Sequence, residues 1–373
     1  MQLIQMVDLQ TQYNRLKKEI DAAIESVLQS GAFIKGPEVF SFEKELKTFT
    51  GAGHVISCAN GTDALQIAFM ALDLPAGSEV ITPSFSYAAV AEVLHFLGLK
   101  PVYAEVDSAT FLIDPASVES LIGPNTKALA PVHLYGQCCN MEALLEIAEK
   151  HNLFLIEDTA QAIGAYYTFS NGSRAQAGTM GHIGTTSFFP SKNLGCYGDG
   201  GAIFTNDEML AKRMKMIANH GQEVKYVHEI IGINSRLDSV QAAILRIKLA
   251  HLKAFENSRN SVADRYDKAF SGHPKISVPK RAANSTHVFH QYTLTLSDDK
   301  LRDGLMNFLK ENKIPSMVYY PTPLQRQKAY AQNVSLATTE ALCNHVISLP
   351  IHTEMREEQI KYITEKTLQF LNQ

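Results

Sequence analysis

The chain has 373 residues, 45% of them apolar and 19% charged, with 34 Lys plus Arg against 38 Asp plus Glu and a formal charge of -4. That length exceeds the usual single core and fits one large domain plus a smaller one, and the composition excludes a disordered chain. With no basic run to neutralise a stretch of phosphate backbone, a nucleic-acid partner is excluded as well.

Five cysteines, two of them adjacent and none in a C-x-x-C pair, point to neither a disulfide framework nor a zinc site. Thirteen histidines lack the spacing of a helical H-E-x-x-H site, so no metal is expected. The opening MQLIQMVDLQTQYNRLKKEID brings charge before any apolar run long enough for a signal peptide or a membrane span. A cytoplasmic protein with no membrane partner is expected.

In chain order, the strand-like apolar runs are HVISC (54–58), EVITP (79–83), KPVYAEV (100–106), KALAPVHL (127–134), LFLIE (153–157), GTTSFF (184–189) and GAIFT (201–205). Helical patterns such as TDALQIAFMAL (62–72) and MEALLEIAEKH (141–151) lie between them, their apolar residues recurring at three and four. This alternation predicts an α/β fold with a mostly parallel sheet of seven strands covered on both faces. A long helical stretch, NSRLDSVQAAILRIKLAHLKAFENSRN, then leads into a β segment (HQYTLTL, 290–296) and three helix-like segments. We read residues 1–250 as the large domain, with a helical segment at its start, and 251–373 as a smaller α+β domain.

Ligands of such sheets sit beyond the C-terminal ends of the strands, and four of those ends carry chemistry. In SCANGTDALQ (57–66), Gly61 permits close backbone approach, and the first helical turn with the Thr62 hydroxyl suits a phosphate. N-G-T-D is equally an ordinary capping sequence. In LFLIEDTAQ (153–161), alternation sends Glu157 and Asp158 to opposite faces. One carboxylate then points into the crevice, where it could pair with a protonated pyridine nitrogen; a solvated strand end or a helix cap is the plain alternative. TTSFFPSKNLGCYGDGGAIF (185–204) places Lys192 in a non-periodic loop between two strands, after an apolar FFP. Partial burial and a nearby cationic ring would lower its pKa and favour the neutral amine that an aldehyde needs. Ser187, five residues before Lys192, could reach the same phosphate as Thr62. The GDGG string precedes a strand instead of following one into a helix, so it is no dinucleotide fingerprint. GINSRLD (232–238) sets Asn234 and Arg236 at a helix start, as caps or as anion ligands.

Together the strings NGTDAL, ITPSFSY, EDTAQAIGA, SFFPSKNLG and NSRLD, in this order and with VDLQTQY (7–13), GPEVFSFEKEL (36–46) and ISLPIH (347–352) beside them, resemble the DegT/DnrJ/EryC1/StrS nucleotide-sugar aminotransferases. These are fold-type-I enzymes, similar to aspartate aminotransferase, that use pyridoxal 5'-phosphate (PLP). The resemblance implies that Lys192 is the Schiff-base lysine, that Asp158 binds the pyridine nitrogen and that Gln161 lies near the ring hydroxyl. It implies that Gly61, Thr62 and Ser187 hold the phosphate, joined by Asn234 from the neighbouring subunit of a homodimer with shared active sites. Tyr87, in ITPSFSY, falls where the family stacks an aromatic ring on the cofactor, although it could also be a core residue.

The implied reaction moves an amino group from glutamate to a nucleotide-linked keto-sugar in two half-reactions, with Lys192 as the base and ping-pong kinetics. SCANGTDALQI, SFFPSKNLGCYGDGGAIFTND and NSRLDSVQAAIL look closest to enzymes that aminate C3 of UDP-2-acetamido-2-deoxy-3-oxo-glucuronate for surface polysaccharides such as the lipopolysaccharide O-antigen. Arg236, Tyr319 and Tyr320 are the candidate sugar contacts. In MVYYPTPL (317–324) this chain has Tyr319 where many relatives have histidine, so dTDP-3-oxo-6-deoxyhexoses and 4-keto sugars stay open as alternatives. A dehydratase of the same fold would carry histidine at Lys192. A regulatory protein would call for a basic face or a helix-turn-helix module, and the sequence shows neither.

Overall fold

A computed structural model describes residues 3–373; Met1 and Gln2, part of the opening stretch read above, lie outside it. Two helices, α1 (Leu9–Ser30) and α2 (Pro37–Thr50), precede strand β1 (His54–Cys58). Helices and strands then alternate as α3 (Gly61–Leu72), β2 (Glu79–Pro83), α4 (Ala89–Phe96), β3 (Lys100–Ala104), α5 (Pro115–Ser120), β4 (Thr126–Leu129), α6 (Met141–Lys150) and β5 (Phe154–Asp158). A small hairpin, β6 (Tyr166–Thr168) and β7 (Arg174–Gln176), leads to β8 (Ile183–Ser187), β9 (Gly201–Thr205), α7 (Glu208–Ile217) and the long α8 (Ser239–Phe270). The remainder holds β10 (Ile276–Ser277), β11 (Tyr292–Leu296), α9 (Asp299–Glu311), α10 (Ala337–His345), β12 (Val346–Leu349) and α11 (Glu357–Leu371).

All seven runs read from the sequence are strands of one sheet, in the order β1-β9-β8-β5-β4-β2-β3. Every neighbouring pair is parallel except those of β9, which runs antiparallel to β1 and β8. The start of β9 therefore lies at the same edge as the ends of the others. Burial on both faces explains why most of these strands are largely apolar instead of alternating; β8, Ile-Gly-Thr-Thr-Ser, is the exception. Three runs are shorter than their apolar composition suggested, the third ending at Ala104. The fourth stops at Leu129, because Pro131 has no N–H to continue the ladder. The sixth stops at Ser187, after which Phe188 and Phe189 enter the loop that carries Lys192.

Helix α3 shows how local sequence sets an element. The Asn60 side chain accepts the Asp63 N–H at 2.8 Å as an N-cap, and seven buried residues from Ala64 to Leu72 press the helix onto the sheet. The C-terminal unit contains the anticipated β11 and three helices, with β10 and β12 flanking β11 in an antiparallel sheet. Helix α8 joins the two parts without a break. Ala242 to Phe255 pack in a core shared with α1, α2 and β1, whereas Val262 to Phe270 belong to the core of the C-terminal sheet. The division expected at residue 250 lies inside this helix. No helix among the described residues is long and apolar enough to cross a membrane.

Candidate active site

A cavity of about 640 Å³ opens where the strands end. Asn60, Gly61 and Thr62 follow β1, Ser86 and Tyr87 follow β2, and Val132 follows β4. Asp158 to Gln161 leave β5, Thr185 to Ser187 close β8, and Lys192 stands in the loop between β8 and β9. This is the crevice at which open α/β sheets bind ligands.

Lys192 is the one lysine in the lining. Burial draws its amine down to about 8, and the nearby Asp158 carboxylate opposes that shift. A buried ammonium loses hydration that one carboxylate does not fully replace, so the neutral form is within reach at physiological pH. The loop is held from both sides. Asn193 donates to the Val288 carbonyl at 2.8 Å, and the buried Lys248 of α8 donates to the Gly195 carbonyl at 2.7 Å. Gln241, also on α8, takes the Tyr197 N–H at 2.8 Å and returns a bond to the Tyr197 carbonyl at 3.1 Å.

The two carboxylates at the end of β5 have opposite fates. Glu157 turns away from the cavity and is fully buried, accepting from the Gly178, Met180 and Gly181 N–H groups and from His133 Nε2 at 2.9 Å. His133 Nδ1 accepts the Cys139 N–H at 3.0 Å, which leaves the proton on Nε2 to face Glu157. Asp158 turns into the cavity and, among the described residues, its side chain has a single partner, the Ala160 N–H at 2.9 Å. Burial raises its pKa, against the pull of that N–H, Lys192 and His133. A carboxylate that has lost more hydration than it has regained in partners is matched by a cationic ring nitrogen.

The turn at Asn60 to Thr62 suits a phosphate. With Asn60 capping Asp63, the Gly61 and Thr62 N–H groups at the start of α3 have no helical partner. A Cβ on Gly61 would sit 2.6 Å from Ser187 Cβ, so glycine is what lets β8 approach this turn. Helix N-terminus, two hydroxyls and free N–H groups converge here.

On the other wall, Gln161 accepts the Tyr135 N–H at 2.9 Å and donates to the Tyr320 hydroxyl at 3.1 Å. Tyr135, in left-handed backbone at φ 59°, donates its own hydroxyl to the Tyr319 carbonyl. These bonds pull the C-terminal segment with Tyr319 and Tyr320 onto the cavity. Burial pushes the Tyr320 pKa up, so its hydroxyl keeps its proton. Tyr87 stands at the rim, 63% exposed, with its ring 6.3 Å from that of Tyr320.

The cavity thus unites Lys192, Asp158, Gly61, Thr62, Ser187, Gln161, Tyr87, Tyr319 and Tyr320. Asn234 and Arg236 lie outside it. The intervening Ser235 is fully buried and accepts the Ala59 N–H at 3.0 Å, so its neighbours point outward. Asn234 is exposed, and Arg236 lines a separate cavity. Ser86, Ser191, Asp199, His290 and Gln291 line the main cavity without having been singled out from sequence. For Ser86 a signal existed, since it follows an apolar strand directly; His290 and Gln291 sit at the entry of HQYTLTL, which reads only as a strand.

A depressed lysine, a cavity-facing carboxylate and a phosphate cradle at the strand ends fit PLP and define a fold-type-I aminotransferase. The comparisons make the assignment specific: the DegT/DnrJ/EryC1/StrS aminotransferase family model matches residues 14–368, and the chain belongs to that family. It is 45% identical to the UDP-2-acetamido-2-deoxy-3-oxo-D-glucuronate aminotransferase of Pseudomonas aeruginosa, over 97% of this chain and 98% of that one. It is 43% identical to a pleiotropic regulatory protein of Geobacillus stearothermophilus, over 98% of each. The crystal structure of S. venezuelae DesV in complex with a ketimine intermediate superposes with a TM-score of 0.95 at 38% identity, covering 100% of this chain and 99% of that one.

Proposed function

We propose that the protein transfers an amino group from glutamate to C3 of UDP-2-acetamido-2-deoxy-3-oxo-glucuronate, in the cytoplasm, on the way to a surface polysaccharide. The observation that carries the reaction class is the Lys192 amine, drawn down to about 8 beside one cavity-facing carboxylate. The substrate rests on end-to-end similarity to an enzyme named for that keto-sugar, at 45% identity.

Bound PLP supplies a carbon that exchanges amines and a ring that accepts electrons. Lys192 holds the cofactor and, once released, takes the proton from glutamate Cα; in the second half it delivers one to the sugar carbon being aminated. Holding the cofactor and taking a proton need the neutral amine, of which a pKa of about 8 keeps roughly a tenth one pH unit lower, whereas delivery uses the ammonium formed when Lys192 has taken a proton up. Asp158 holds a proton on the ring nitrogen. Gly61, Thr62 and Ser187 bind the phosphate, Gln161 fixes the ring hydroxyl side through its bridge to Tyr320, and Tyr87 covers the ring.

A homodimer with shared sites is part of the proposal. Phe33, Ile34, Phe40, Tyr226 and Ile231 are 48%, 52%, 60%, 80% and 84% exposed. Ile34 bridges to Asp238, Phe40 lines a cavity with Arg236, and the segment with Tyr226 and Ile231 follows Asn219, the bridge partner of Asn234. Apolar surface gathered around Asn234 and Arg236 is what a second copy would cover. The test is a steady-state panel of UDP- and dTDP-linked 3-keto and 4-keto sugars with glutamate, each generated in situ. Amination of the UDP-uronate is the expected outcome; turnover of 6-deoxy-3-oxo sugars alone sinks the uronate assignment.

A further inference from the structure

Arg236 is not alone outside the catalytic cavity. With Lys35 and Lys215 it lines a second cavity of about 310 Å³, walled by Val39, Phe40, Ile56 and Leu237. None of these three cations forms an ion pair among the described residues. The one carboxylate in the lining, Glu43, already accepts the Ser57 N–H at 2.9 Å and the Ser57 hydroxyl at 2.7 Å. In the adjoining cavity, which Lys35 and Lys215 also line, Glu223 is taken by Lys212 at 2.9 Å and Glu208 forms no ion pair among the described residues.

Lys35 is held in place by its neighbours. Ile34 pairs with Asp238, and the Gly36 N–H donates to Ser239 Oγ at 3.1 Å, so the chain at Lys35 is fastened to the strand of residues leading into α8. Lys35 itself adopts φ 51°, the left-handed region that a side chain seldom takes. Although Lys35 is exposed, partial loss of hydration and the charge of Arg236 lower its pKa, against the opposing pull of the Glu43 carboxylate. Like charges brought together in a pocket repel, and the repulsion grows once apolar surface such as Phe40 and Ile34 is covered and water withdrawn. A bound oxyanion relieves it.

We infer that Lys35, Lys215 and Arg236 form a recognition site for the diphosphate of a sugar nucleotide whose keto-sugar reaches into the catalytic cavity of the partner copy. This rests on the nucleotide-sugar and homodimer readings above. The cavity is larger than a lone carboxylate needs, and three cations match the charge of a diphosphate better than that of a uronate.

Isothermal titration of the PLP-loaded enzyme with UDP and dTDP tests this. Lys35→Met and Lys215→Met should each weaken binding about tenfold, the effect of losing one charge-assisted contact. Lys35→Arg should restore most of it, and Lys212→Met, whose lysine is already paired with Glu223, should leave the affinity unchanged. In the unaltered enzyme, affinity should fall steeply with salt. Unchanged UDP and dTDP binding in the Lys35→Met/Lys215→Met double variant overturns the site. Weakening of UDP-glucuronate with no effect on UDP or UDP-glucose also overturns it, since the cations would then read the sugar's carboxylate. An enzyme that binds UDP in this lysine-dependent way yet aminates no keto-sugar refutes the proposed function and leaves the site standing. One that aminates keto-sugars with an unchanged KM in the double variant refutes the site alone.

Discussion

The floor of the catalytic cavity and its open side are built in opposite ways. On the floor, Asp158, Gln161 and Ser86 are 8%, 6% and 5% exposed, and each leaves the end of a strand whose register is fixed by hydrogen bonds on both sides. On the open side, Tyr87 is 63% exposed, Tyr319 and Tyr320 arrive from the C-terminal unit, and Asn234 and Arg236 face away from the cavity of their own chain. The contrast separates chemistry from recognition. On the proposed reading, a single chain completes the groups that move protons, while the groups proposed to choose the sugar sit on surfaces that can vary without disturbing the sheet.

The largest expected break in that contrast is Lys192→Ala. It should lower kcat by about four orders of magnitude or more, the scale of a lost proton-transfer group, and alter the visible absorption band of the yellow holoenzyme. A colourless protein that stays colourless with added PLP would remove the cofactor from the account altogether. Asp158→Asn comes next, with kcat about 10² to 10³ lower in steady-state assays and the fold retained by circular dichroism; wild-type kcat would mean that the carboxylate does not serve the ring. Gly61→Ala forces a Cβ to within 2.6 Å of Ser187 Cβ. PLP affinity, followed by equilibrium dialysis, should weaken about tenfold or more, as expected when a contact with an anion is displaced.

Lys248 tests how firmly the floor is held. Its folded pKa is about 8 against 10.5 for a free lysine, so the unfolded chain binds more protons between those values. The contribution of Lys248 to stability therefore rises with pH across that window, by an amount on the order of 1–3 kcal/mol. Measured against Lys248→Met by denaturant unfolding, the wild-type protein should gain relative stability from pH 8 to 10.5, and parallel curves would deny the burial penalty. Smallest of all is Tyr319→His on the open side. It should shift KM for the keto-sugar about threefold in either direction, the scale of a modest pocket change, with kcat for the glutamate half-reaction unchanged.

Much of the floor is legible in the sequence because it is local. Most of the seven strands read as apolar runs, and Asn60 to Thr62, Asp158 and Lys192 stand just after such runs with Ser187 inside one, so order along the chain predicts their convergence. That Glu157 and Asp158 face opposite ways also follows from the pleat. Which of them enters the cavity does not: the Gly178, Met180 and Gly181 amides, with His133, claim Glu157, and only the packed turn after β7 brings them there. The strand β12 went unread as a strand for a related reason, since VISL follows α10 without a break and becomes a strand only by pairing with β11.

The amino-acid sequence by itself therefore determined the α/β class, the seven strands and the lysine-centred chemistry, because periodicity and strand-end position are properties of neighbouring residues. The tertiary structure alone decided what meets across long separations. It bound Tyr320 to Gln161, turned Ser235 inward so that Arg236 points out, and set Lys35 beside Arg236. Those contacts depend on how elements pack and which side chains their burial displaces, and no local pattern carries that information.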